Sequence, residues 1–289
     1  MIKLEEQPEN VRVSFYGALF AVASADGTID KEEVESIFES LDLDGLSEEA
    51  RRTVLGYLIQ PPEIESCLNA LRDTPDELRY GIMINLVEVA HADDHLDERE
   101  MAFIRKVKGS LKVSDEQLEK ILDFVKEARR IRERGLDDNV AADAMKRAAS
   151  GLAGVGIPIA AVYFSGSVIG LSAAGITSGL AALGLGLGMV PGIGVAILIG
   201  TVVAIGVSKS LDVGGKRKKA KIGAERERKA QLVIKNLQET INAVIDHVNK
   251  LRTAADETAA NRKAIETLTQ RLKTLQQALA KRQCAMGVA

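Results

Sequence analysis

Tryptophan is absent from this chain, and aromatic residues of all kinds make up only 3% of it. So few flat rings cannot build the stacking platforms on which single strands bind, and nucleic acid is an unlikely partner. The two cysteines, Cys67 and Cys284, stand far apart. They make neither a disulfide framework nor a paired thiolate site, and the soluble parts suit a reducing cytosol. The amino terminus, MIKLEEQPEN, lacks the apolar core of a signal peptide, so secretion is not expected. The most informative absence is of charge. Residues 148–208, 61 in all, include no Asp, Glu, Lys, Arg or His, although 27% of the chain is charged. Helices of soluble folds carry charge on their solvent face, and nothing here supplies it. A bilayer core about 30 Å thick takes about 20 helical residues, so the run has room for two crossings. A buried hairpin inside a soluble scaffold is the alternative.

Glycine fills that run, with 14 of the chain's 25. Several recur at four-residue spacing, as Gly166 and Gly170, Gly175 and Gly179, and Gly184 and Gly188. Small residues at i and i+4 leave a flat helix face on which two backbones pack closely in lipid. The expectation is a transmembrane helical hairpin over 151–208, with one span near 154–176 and another near 189–208. Basic residues flank it on both sides: Arg129, Arg130, Arg132, Arg134, Lys146 and Arg147 before, Lys209, Lys216, Arg217, Lys218, Lys219 and Lys221 after. Cationic residues near membrane ends stay cytoplasmic, which two spans satisfy. Lys216, Arg217, Lys218, Lys219 and Lys221 are placed to meet anionic lipid headgroups, each attracted by about 1 kcal/mol.

The first 135 residues read as short amphipathic helices. Apolar residues recur at helical spacing through 13–23, 34–41, 54–59, 64–71, 78–89, 101–111 and 118–125. Turn and capping residues separate them at Asp26-Gly27, Asp44-Gly45, Pro61-Pro62, Thr74-Pro75, Asp93-Asp94 and Val113-Ser114. No alternating strand pattern interrupts the series, so the class is all-α. Within it the sequence repeats. Ala23-Ser-Ala-Asp26-Gly27-Thr-Ile29-Asp30-Lys-Glu-Glu33 is echoed by Ala90-His-Ala-Asp93-Asp94-His-Leu96-Asp97-Glu-Arg-Glu100, each preceded by a helix carrying a Tyr-Gly pair (Tyr16-Gly17, Tyr80-Gly81). Two copies of helix, acidic turn and helix suggest a pseudo-symmetric bundle.

This pattern, over roughly residues 10–125, resembles the TerB (tellurite-resistance) family, whose helical fold contains such a duplication with acidic residues at the turns. The resemblance implies a bacterial stress-response or phage-defence setting, and with it the bacterial inner membrane as the site of the hairpin.

The acidic turns are the one candidate site. Asp26, Asp30 and Glu33, with Asp93, Asp97 and Glu100, offer hard oxygen ligands for a divalent cation such as Ca²⁺, Mg²⁺ or Mn²⁺. An EF-hand is excluded, because its opening carboxylate position holds Val22 in one copy and Val89 in the other. The same spacing has a metal-free explanation, in which Asp30 and Asp97 are N-caps and Glu33 and Glu100 complete capping boxes. His91 and His95, four apart, have zinc-compatible spacing but lie in a turn-like stretch, and a solvated loop is the simpler account. No nucleophile–base arrangement is present, and no enzymatic activity is expected.

Residues 209–289 begin with the basic juxtamembrane segment and continue as a long helix. A 3-4 spacing runs from Ile234 through Leu237, Ile241, Val244, Val248 and Leu251 to Ile265, Leu272 and Leu279. That spacing is the signature of a coiled coil, weakened in the middle by Ala255, Thr258 and Arg262. It would seat a second copy or a partner helix, or pack back on the N-terminal bundle. The chain is thus expected to comprise a TerB-like head over 1–135, a basic linker over 136–150, the hairpin over 151–208 and the coiled-coil region over 209–289. The function this suggests is a membrane-anchored, non-enzymatic sensor or adaptor; the alternative is a membrane-perturbing, pore-forming defence effector.

Overall fold

The computed structural model describes residues 4–25, 27, 29–92, 98–134, 139–158, 161, 215–253 and 259–285. Among them every regular element is helical: α1 (Glu9–Ala23), α2 (Lys31–Ser40), α3 (Glu48–Gly56), α4 (Ile64–Leu71), α5 (Asp76–Ala90), α6 (Glu98–Ser110), α7 (Asp115–Arg134), α8 (Asn139–Gly154), α9 (Gly215–Thr253) and α10 (Ala259–Ala285), after a short 3-10 turn at Leu4–Glu6. The seven helices expected over the first 125 residues are α1 to α7. The duplication is visible in their bounds, since α5 and α6 begin 67 residues after α1 and α2, and α5 has the same 15-residue length as α1. In that register Tyr16 matches Met83, so the two Tyr-Gly pairs are not equivalent positions.

The chain divides into two units, each assembled from separated stretches. The first joins Met1–Leu4, Thr74–Glu88 and Lys106–Arg228; the second joins Glu5–Asp73, Val89–Arg105 and Lys229–Ala289.

In the second unit α1 is apolar almost all round, as a helix enclosed by others must be, and buries its side chains from Phe15 through Ala23. It packs on α2, α3 and α4. Phe20 meets Phe38 of α2 edge-on, with ring centroids 6.4 Å apart, and lies 6.2 Å from the Tyr57 ring. Gly17 lets α4 come close: a Cβ there would stand 2.9 Å from Cys67 Sγ and 3.1 Å from Pro62 Cγ. Burial pushes the Cys67 thiol up from its ordinary value, as befits a cysteine used for packing. Three side chains on successive turns of α1 hold the loop after α2. Arg12 donates to the carbonyls of Asp42 and Asp44 at 2.9 and 2.8 Å, and the Tyr16 hydroxyl donates to Asp42 O at 2.6 Å. Glu9 accepts from the Ser47 amide at 2.6 Å and its hydroxyl at 2.9 Å.

The first unit is organised by α7 lying on α8. Ile121, Phe124, Val125, Ala128 and Ile131 form the buried stripe of α7, and α8 contributes Ala149 and Leu152. Gln117 ties its parts together. Its amide completes a capping box with Ser114 (2.9 and 3.1 Å), then donates to the Tyr80 hydroxyl at 2.9 Å and the Val155 carbonyl at 3.1 Å.

One expectation is corrected. The stretch read as a basic linker folds in large part as α8, which takes in the first residues of the uncharged run. The helix stops at Gly154 in a Schellman motif: Gly156 has φ +79°, its amide bonds Ala153 O at 3.1 Å, and the Ile157 amide bonds Leu152 O at 3.0 Å. Pro158 follows. A span continuing α8 through 154 is therefore ruled out, and what is left of the run starts at Pro158. The C-terminal helical region is described as α9 and α10, and residues 254–258 between them lie outside the described residues. No helix among the described residues is long and apolar enough to cross a membrane. The expected hairpin, with Gly166, Gly170, Gly175, Gly179, Gly184 and Gly188, lies outside the described residues.

Candidate functional site

The metal-free geometry is present at the first acidic turn. Asp30 is the N-cap of α2: its carboxylate accepts from the Glu33 amide at 2.9 Å, while Glu33 Oε2 accepts from the Asp30 amide at 2.9 Å. Two N–H groups at the helix start are satisfied reciprocally. Glu33 is buried, and so is Glu100, which occupies the corresponding third position of α6. Asp26, Asp93 and Asp97 lie outside the described residues, as does His95. Among the described residues no group of three or more His, Cys, Asp or Glu side chains is placed to hold a metal ion. Asp30 and Glu33 are thus engaged in building a helix start, and the described residues do not form a cation site.

The part of the second unit with the richest polar chemistry is where α9 and α10 join the N-terminal helices. On α9 the stripe Val233, Leu237, Ile241, Val244 and Val248 is buried, together with Asn236 and Thr240. Asn236 Nδ2 donates to the Leu41 carbonyl at 3.3 Å, and the Thr240 hydroxyl returns to Asn236 O at 2.8 Å. Arg51 of α3 grips Glu239 Oε2 through Nε at 3.0 Å and Nη2 at 2.6 Å. On α10, Arg271 donates to the carbonyls of Leu58 and Ile59 just past the end of α3. Lys281 pairs with Glu35 at 2.6 Å, and Arg282 pairs with Glu39. Burial lowers the pKa of both Arg271 and Arg282, the cost of setting guanidinium groups against protein. Most of the apolar spacing read as a coiled-coil seam on α9 is thus buried within this chain. Sequence reasoning did not single out Asn236, although a polar residue inside an apolar stripe is the kind of signal that marks a specified pairing. Lys216, Arg217, Lys218, Lys219 and Lys221 lie in the first two turns of α9.

The segment holding α4, α5, α6 and the start of α7, with the second acidic turn between α5 and α6, is the part that comparison with known proteins recognises. Residues 59–123 match the family model described as tellurite resistance protein TerB. The TerB match takes in the second copy of the acidic repeat and leaves the first outside. No curated protein and no solved structure matches the chain.

Proposed function

We propose that this protein is a non-enzymatic, membrane-anchored adaptor or sensor of bacterial stress, its TerB-type head held at the cytoplasmic face of the inner membrane by residues 158–208. One observation carries the reading. After α8 is capped, 51 consecutive residues from Pro158 to Ser208 still have no Asp, Glu, Lys, Arg or His, enough for two helical crossings of about 20 residues each and a turn. The second unit supports an even number of crossings, because Glu5–Asp73 precedes the run and Lys229–Ala289 follows it. Two stretches that fold together lie on one side of a bilayer. The basic residues at the start of α9 suit the headgroup layer of that side, and the TerB match supports the stress-response setting.

The test is extraction of membranes from cells expressing the full chain. An integral hairpin stays in the pellet through an alkaline carbonate wash and dissolves only with detergent. Release into the carbonate supernatant would show that the uncharged run is buried in protein, and the anchoring role would fall.

A further inference from the structure

The two C-terminal helices are held in different ways. Over 228–253, α9 buries a continuous stripe from Val233 to Val248, including Asn236, Thr240 and Val244 with no exposed surface at all. Over its 27 residues α10 buries only Leu268, Leu275 and Ala278 among those described. Ile265, Leu272 and Leu279 are only half-buried, and the rest of its hold is polar. Lys281 and Arg282 meet Glu35 and Glu39, one turn apart on α2, and Arg271 reaches two carbonyls beyond α3. The Lys281 side chain is 57% exposed, against 12% for Glu35 and 26% for each of Arg282 and Glu39, so the Lys281 pair is open to screening by salt at its outer end. α2 does not depend on them. Val34, Ile37 and Phe38 seat it in the core, and the Asp30–Glu33 box fixes its start.

We infer that α10 is a releasable strap, closed on α2 by the Glu35–Lys281 and Glu39–Arg282 pairs and able to open while α9 stays docked. Opening uncovers the outer face of α2. It also frees an amphipathic helix on which Ile265, Leu272 and Leu279 recur every seven residues beside Leu268 and Leu275, the spacing a partner helix reads. The closed form withholds that surface. The inference rests on the head alone and stands whether or not the uncharged run enters a membrane.

Hydrogen exchange of the full chain, read by mass spectrometry peptide by peptide, tests it. Detergent-solubilised protein is used if the chain is membrane-bound. In 1 M NaCl, and in the Glu35→Gln/Glu39→Gln variant at low salt, amides of 262–284 should exchange at least tenfold faster, with 233–248 unchanged. Reversing both pairs together (Glu35→Lys and Glu39→Lys with Lys281→Glu and Arg282→Glu) should restore protection at low salt. Equal acceleration of 233–248 and 262–284 would overturn the strap, since the two helices would then open as one body. Unchanged exchange in the Gln variant would overturn the part given to the ion pairs.

Discussion

The side-chain amide of Asn236 donates a hydrogen bond at 3.3 Å to the carbonyl of Leu41, 195 residues earlier in the chain, with no exposed surface on Asn236. The bond joins the stretch after the uncharged run to the loop that follows α2. That loop is already gripped by Arg12, Tyr16 and Glu9 from α1, so α9 docks on a preformed polar surface rather than a purely apolar one. A buried amide N–H donating to one particular carbonyl favours one register of α9 over its neighbours, where donor and acceptor would both lose their partner.

Asn236→Asp puts a buried carboxylate against a carbonyl oxygen with no donor between them. The variant should lose about 3 kcal/mol or more at pH 7, the scale of a buried group left with an unpaired charge. Burial raises the carboxyl pKa of the folded form above that of the unfolded form. The penalty is therefore largest above the folded pKa and disappears below the unfolded one, where the protonated acid donates to Leu41 O. Urea midpoints measured at pH 7 and pH 4 should converge toward wild type as the pH falls. A pH-independent deficit would mean that Asn236 is not buried against this carbonyl.

Lys112 sits at φ +55°, the left-handed position that closes the Schellman motif of α6: its amide bonds Gly109 O at 3.3 Å and the Val113 amide bonds Lys108 O at 3.0 Å. Glycine adopts that conformation without the Cβ clash. Lys112→Gly should raise stability by about 0.5–1 kcal/mol, read as a higher thermal midpoint with no change in helical content.

Glu9 accepts from both the amide and the hydroxyl of Ser47, and these bonds, with a smaller pull from Arg12, hold its carboxyl below the ordinary carboxylate range. A folded pKa below the unfolded one gives stability that is present at neutral pH and lost as acid protonates the folded carboxyl. Glu9→Gln should therefore be less stable than wild type at pH 7, and the difference should close on acidification through the Glu9 titration. Parallel acid-unfolding curves with a constant gap would contradict the assignment.

The helical head was legible because its signals are local. Apolar spacing marks α1 to α7, and the D-x-x-E spacing at Asp30 forms a capping box from residues three apart in the chain. The Asp30–Glu33 geometry is the metal-free alternative that spacing alone left open. α8 was missed for a physical reason. Its buried Ala144, Ala149 and Leu152 recur at helical spacing, but Lys146 and Arg147 among them read as the basic flank of a membrane run, and uncharged residues packed in protein read the same as uncharged residues in lipid. The C-terminal stripe was legible but not its destination, since one apolar line serves a coiled coil and an intramolecular dock equally well. What distinguishes them are polar partners far away in sequence, such as Leu41 for Asn236 and Arg51 for Glu239.

The central claim is that the stretches on either side of the uncharged run fold together as one head. A zero-length carbodiimide reaction on the full chain in native membranes at low ionic strength tests it most directly, because Lys281 Nζ and Glu35 Oε2 are 2.6 Å apart. Mass spectrometry should find the Lys281 peptide joined to the Glu35 peptide, and Glu35→Gln should abolish that product. Lys281 joined to other carboxylates, with none joined to Glu35, would mean that α10 does not rest on α2 and would contradict the packing of the C-terminal stretch on the N-terminal helices.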